Sequence, residues 1–262
     1  MMRTKSPPLS KPHPGWQRHL AAPTCPILRE IGGELSPVIN ACNDAYVEIS
    51  RRSSKMRGLL LFQSIFGIGA SLLLLLDIAN PIELWRMGLA NTANEVGPLF
   101  LIGFVTFFCI RIDTAIPRDE PIRFNRLRRK VYVYGFHLIW WNPFARWYVT
   151  TNTYNWDDLR AEVWRQRGFT PQGGLIITWG VSIAVVKPGT NEVIARFPLS
   201  VGQDEGSSWD FVRAYMQLGP QALPPVEEFN DPNKVPPLNL ALRFAPKVVW
   251  PAAMDLESRS GP

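Results

Sequence analysis

From Gly58 to Leu76 the chain reads Gly-Leu-Leu-Leu-Phe-Gln-Ser-Ile-Phe-Gly-Ile-Gly-Ala-Ser-Leu-Leu-Leu-Leu-Leu without a charged side chain. A helix needs roughly 20 apolar residues, or 17 at minimum, to cross a ~30 Å hydrocarbon core. The run predicts a membrane span over about 58–79. A second uncharged stretch, Val96 to Ile110 with Ile112 just beyond Arg111, predicts another over about 96–112. Two crossings put both tails on one side. Ser64, Gly67, Ala70 and Ser71 recur at helical spacing on the first span, and Gly103 offers a notch on the second, a pattern that suits close helix packing. Gly67 and Ser71 could alternatively support self-association, so a homo-oligomer is one expectation.

Beyond Pro121 the hydrophobic period shortens from 3.6 to 2, the signal of β structure. Ile122–Arg126 and Lys130–Phe136 predict two strands around a turn at Leu127–Arg129, and Leu159–Arg165 alternates again. In Leu175–Val186, Leu175, Ile177, Trp179, Val181, Ile183 and Val185 form one large apolar face, and Thr178, Gly180, Ser182 and Ala184 a small or polar one. Lys187–Asn191 is a hairpin turn, with Glu192–Leu199 as the returning strand. A helix follows, capped by Ser207 or Ser208 and ended by Gly219-Pro220, with Trp209, Val212 and Met216 on one stripe. Strands in series closed by one amphipathic helix are the order of a pleckstrin-homology-like domain. The predicted fold class is therefore an α+β membrane protein: a two-helix transmembrane hairpin, then a pleckstrin-homology-like antiparallel β domain with a C-terminal helix.

The flanks read differently. Residues 1–34 are rich in proline and predict a flexible tail. Residues 35–57 form an amphipathic, basic juxtamembrane segment, in which Leu35, Val38, Ile39, Cys42, Tyr46, Val47 and Ile49 approximate a helical stripe. The hairpin occupies 58–112 and the β domain 118–220. Residues 221–262 predict a proline-rich tail whose short apolar pieces pack over the domain and whose last residues are disordered. The aromatic stretch Leu138–Trp156 is assigned mainly to the sheet's core and cross-strand pairs, the alternative being rings against lipid headgroups.

Composition sharpens this picture only in part. With 46% apolar and 19% charged residues, a mean hydropathy of −0.03 hides the concentration of apolar residues in two blocks. Basic residues outnumber acidic ones 28 to 22, giving +6, and they cluster beside those blocks. Arg51, Arg52, Lys55 and Arg57 precede the first span, and Arg111, Arg118, Arg123 and Arg126 follow the second. The intervening loop has Arg86 alone against Asp77, Glu83 and Glu95, so both termini are predicted to be cytoplasmic, with Trp85 near the opposite interface. Three separated cysteines and no leading signal peptide indicate a reducing compartment.

Catalytic chemistry finds little to work with. His13, His19 and His137 are isolated, which disfavours a metal site, and neither a phosphate-cradling glycine loop nor a nucleophile elbow is present. The adjacent pairs Asp119-Glu120 and Asp157-Asp158 sit beside turn signals and read as charged turns. No catalytic, metal or cofactor residue is assigned. The densest basic cluster, Arg123, Arg126, Arg128, Arg129 and Lys130, is the candidate surface for anionic lipid or an acidic protein partner. A solvated strand face that also fixes topology explains the same residues. Nucleic acid is disfavoured, because the cluster directly follows a membrane span.

Three stretches, Pro117–Tyr134, Trp156–Trp164 and Trp209–Pro220, resemble a bacterial family of unknown function over roughly residues 45 to 225. The resemblance implies a two-span inner-membrane protein with a cytoplasmic β-rich domain, found among type VI secretion and polymorphic-toxin genes. It implies a role in interbacterial competition, as an immunity protein binding a toxin or as an accessory handling an effector. A lipid-binding or scaffold module is the competing expectation. The family's motifs assign no catalytic residue.

Overall fold

Both apolar runs are helical: α1 spans Leu59–Asp77 and α2 spans Leu89–Ala115. The computed structural model describes residues 9–27, 37–52, 57–77, 86, 89–169, 174–226 and 228–262; Leu35 and Trp85 lie outside them. Leu59–Leu76 and Val96–Ala115 are long and apolar enough to cross a membrane, and only 6% of each is buried within the protein. The helices meet where a small residue permits it. A Cβ on Gly67 would lie 2.1 Å from Thr106 Oγ1, so Thr106, rather than the anticipated Gly103, fills the notch; Gly103 has nothing within 4 Å of its would-be Cβ. Ser64, buried beside Thr106, donates back to Leu60 O at 2.7 Å.

The remainder is two antiparallel sheets. Strands β1 (Trp16–His19), β2 (Ile39–Cys42) and β3 (Tyr46–Ile49) precede the helices. After them come β4 (Ile122–Asn125), β5 (Lys130–His137), β6 (Tyr148–Asn155), β7 (Leu159–Phe169), β8 (Leu175–Val186) and β9 (Val193–Val201). One sheet has the order β1-β7-β8-β9, the other β2-β3-β4-β5-β6. The core between them gathers Phe124, Val131, Val133, Trp156, Leu159, Val181, Ile183 and Val185. Helix α3 (Ser207–Leu218) closes it with Trp209, Val212 and Tyr215, and the Trp156 and Trp209 rings lie 5.1 Å apart.

Three expectations for the flanks are corrected. The stripe forms a β-hairpin over its described residues 37–50, not a helix. Its turn is set by Asn43, whose Oδ1 accepts from Ala45 N and Tyr46 N at 2.9 Å each, and β3 then gains a full register with β4, Ile49 opposite Ile122. Within the first 34 residues, the described segment belongs to the domain. Leu9 is buried on Ala184 and Val186, β1 pairs with β7, and Trp209 Nε1 donates to Ala21 O at 2.8 Å. The end of the chain is ordered in turn: α4 (Leu240–Phe244) is followed by α5 (Ala252–Arg259), which packs on β4 and β5.

Both corrected tails have the same cause. Strand β5 alternates Val131 and Val133 with Tyr132 and Tyr134, and β8 alternates Ile183 and Val185 with Ala184 and Val186, so both faces of each strand are apolar. The second faces need cover. Val248, Trp250 and Met254 supply it for Tyr132 and Tyr134, and Leu9 supplies it for Ala184 and Val186.

Candidate functional site

Of the predicted basic cluster, Arg123 turns inward, Arg126, Arg128 and Lys130 are half-buried, and Arg129 is exposed. Arg123 is buried at 3% exposure, since its side chain leaves β4 on the face covered by α5. Its guanidinium binds Glu48 of β3, Asp255 Oδ1 at 2.6 Å and Ser258 Oγ at 2.8 Å, and lies 4.6 Å above the Trp250 ring. Arg128 reaches the far end of α5, where its Nε donates to Ser260 O at 3.2 Å. Lys130 Nζ meets Glu257 Oε1 at 2.7 Å, and this bond holds the Glu257 carboxyl below its ordinary range. Arg129, in a left-handed turn conformation at φ 50°, pairs with Asp157 on the surface. Arg126 is half-buried beside Gly219. The cluster was legible from its density of basic residues; that α5 meets Arg123, Arg128 and Lys130 followed only from the fold. Asp255 and Glu257, at matching positions on α5, were the signal that could have been read.

A second polar concentration lies at the base of the helical hairpin, around a cleft of about 470 Å³ lined by Ser50, Arg51, Arg52, Asp119, Asp204 and other residues. Asp119 is 2% exposed, not a solvated turn carboxylate. It accepts from Asn40 Nδ2 at 3.0 Å, Ser50 Oγ at 2.9 Å and its neighbour's N–H at 2.7 Å. Arg51 ties the two sheets together, donating to Glu120 O at 2.7 Å and Tyr134 O at 2.5 Å on one side and to Pro198 O at 3.1 Å on the other. Its burial lowers its pKa. Arg118 spends its donors on Leu242 O and Asn233 O, both at 2.9 Å.

On the opposite wall Asp204 collects the start of α3. Its carboxylate accepts from Gly206 N at 2.8 Å, Ser207 Oγ at 3.0 Å and the Ser200 hydroxyl. Burial alone would raise its pKa, but these donors outweigh it and hold the carboxyl below its ordinary value. The cleft's charges are thus matched mainly by groups of the protein itself. The chemistry available is mechanical coupling of hairpin to sheets, together with recognition on the surrounding surface. Among the described residues, no three His, Cys, Asp or Glu side chains gather as a metal-binding group.

The aromatic stretch divides between both sequence readings. Trp156 is in the core and Tyr154 stacks on Phe197 at 5.8 Å, as the core assignment requires. Trp140, Trp141 and Phe144 are exposed in the loop between β5 and β6, which overturns that assignment for these three. The segment after them forms β6, a strand that the sequence pattern did not reveal. It is the outermost strand of its sheet, paired along all eight residues with β5.

No curated protein matches the chain, and no solved structure does. A family described as one of unknown function (DUF6708) matches residues 99–236, just over half of the chain. The match starts within α2 and takes in β4 to β9, α3 and the Arg118–Asp204 side of the cleft. By that match the protein belongs to the family of unknown function DUF6708.

Proposed function

We propose that this protein is a two-span protein of the bacterial inner membrane that holds its two-sheet domain against the cytoplasmic face and acts there by binding, as an immunity protein against a toxin. The observation that carries the reading is the base of the helical hairpin. Two apolar helices, each with only 6% of its span buried within the protein, enter and leave through β3 and β4, which are hydrogen-bonded neighbours. A helix with its apolar surface uncovered needs a non-aqueous surrounding. The basic residues flanking both helices at this end support a cytoplasmic domain. The strand series closed by α3 supports a pleckstrin-homology-like domain, a scaffold suited to recognition.

The basic strand is occupied by α5, so a sheet edge is the better toxin-binding element. The outer edge of β6 offers backbone donors and acceptors for an added strand. The test is survival of cells challenged with a toxin encoded beside this gene, together with recovery of that toxin on the purified full chain in detergent. Protection and recovery, both lost when Thr151 and Thr153 on β6 are replaced by proline, support the reading. Absence of protection, with anionic lipid alone recovered, overturns immunity and leaves a membrane-anchored scaffold.

A further inference from the structure

The loop between β5 and β6 exposes a cluster of aromatic rings beside α2. It leaves β5 at His137 and returns at Tyr148, and Leu138, Trp140, Trp141 and Phe144 expose 39%, 74%, 67% and 71% of their surface. So much aromatic surface on one short loop calls for cover. The loop is also preformed. Asn142 N donates to Ile139 O at 3.2 Å, and Phe144 N to Asn142 Oδ1 at 2.9 Å.

What covers it follows from where it is fastened. Phe144 stacks on Phe107 of α2 with ring centroids 5.3 Å apart and touches Phe104 at 6.3 Å. Arg111 donates to Ala145 O at 2.7 Å while its guanidinium lies 4.5 Å above the Trp147 ring. The loop therefore lies along the side of α2, beyond the end of the helix that joins the sheets. At 1.5 Å of rise per residue, Phe107 and Phe104 lie about 6 Å and 10 Å past Arg111 along the helix axis. If Arg111 marks the headgroup level, these positions reach the outer hydrocarbon, the depth at which aromatic rings concentrate.

We infer that the Leu138–Trp147 loop is an interfacial anchor whose occupant is the phospholipid bilayer, with Trp140, Trp141 and Phe144 seated among the headgroups and upper acyl chains of the leaflet that α2 leaves. The exposed Arg146 at the loop's end is placed to meet lipid phosphate. The inference rests on the proposed membrane crossing, since an α2 in water would leave the loop in water as well. Its effect is to fix the sheets' tilt against the membrane, leaving the domain no freedom to swing on the hairpin alone.

The test is lipid-borne quenching of a fluorophore attached through a single cysteine in the otherwise cysteine-free full chain, in phosphatidylethanolamine–phosphatidylglycerol nanodiscs. Trp141→Cys reports the loop, Leu72→Cys the apolar run of α1 and Thr190→Cys the remote β8–β9 turn. A blue shift and loss of intensity at position 141 with a headgroup-level quencher, together with loss at 72 by an acyl-chain quencher and none at 190, supports the anchor. Quenching at 72 without any at 141 overturns the anchor and leaves the hairpin reading standing. No quenching at 72 overturns both.

Discussion

Asp113 and Arg57 cap each other's helices. Helix α1 starts after Gly58, which has no side chain to cap it and whose φ of 98° suits glycine. Asp113, near the end of α2, supplies the missing acceptor: its Oδ2 takes Gly58 N at 3.1 Å and Leu61 N at 2.8 Å. In return Arg57 donates to Asp113 O at 2.9 Å and Pro117 O at 2.8 Å, on the last turn of α2 and just beyond it. Burial, with Arg52 nearby, lowers the Arg57 pKa to about 10, which leaves it charged at neutral pH. Each charge faces the helix end that favours it.

Asp113→Ala removes the cap without touching the apolar contact between the helices. Loss of a cap costs about 1–2 kcal/mol. Denaturant unfolding of the full chain in mild detergent, followed by helical circular dichroism, checks this. Asp113→Asn keeps one acceptor oxygen and falls between the alanine variant and the parent. An alanine variant as stable as the parent would show that water or lipid replaces the cap.

Arg123→Met has a larger effect. It leaves the buried Glu48 carboxylate without its cation, and breaking a buried pair from one side costs about 3–5 kcal/mol. Replacing Glu48 by Gln in the same chain recovers much of the loss, because the uncompensated charge is gone. The measurement is a double-mutant cycle on unfolding free energy, with protease sensitivity of α5 as a second readout: Asp255 and Ser258 lose their tie to β4 in the single variant.

Asp204 sets a limit in acid. Its folded pKa is depressed below its ordinary value of 3.8, so its stabilising contribution is complete above that value and is lost as pH falls through the lower folded value. Asp204→Asn is destabilised at neutral pH, and its deficit against the parent narrows below pH 3.8. Unfolding curves across an acid series decide it. A deficit constant with pH would assign the residue's effect to packing.

How much of this could be read from the sequence depends on how local each cause is. The limits of β8 and the end of α3 at Gly219 agree with the sequence pattern, because alternation and a terminal glycine act within a few residues; the predicted Ser207 or Ser208 cap does not form, since both lie inside the helix behind Gly206 and Asp204 accepts the N–H of Gly206 instead. The stripe at 35–50 misled because Ile39 and Val47 also fit a helical face; the Asn43-Asp44 turn signal was the competing evidence, and pairing with a strand more than seventy residues away decided it. The double-sided apolar pattern of Val131–Tyr134 carried the information that something must cover the sheet, without saying what. The basic cluster was legible as a cluster. Its partner helix lies more than a hundred residues away in the chain, so its pairing was not.

The register of Ile49 against Ile122 also constrains synthesis. Strand β3 leaves the ribosome before either long helix and waits for β4 until both have been made. In a membrane, a chain whose second helix failed to return would carry Ile122 to the far side of the bilayer, out of reach of Ile49. The five-stranded sheet would then lack its middle pairing, and β2 and β3 would stay exposed to quality-control proteases. On the proposed two-span reading, completion of the sheet would report insertion, because only a chain whose second helix returns can pair Ile49 with Ile122.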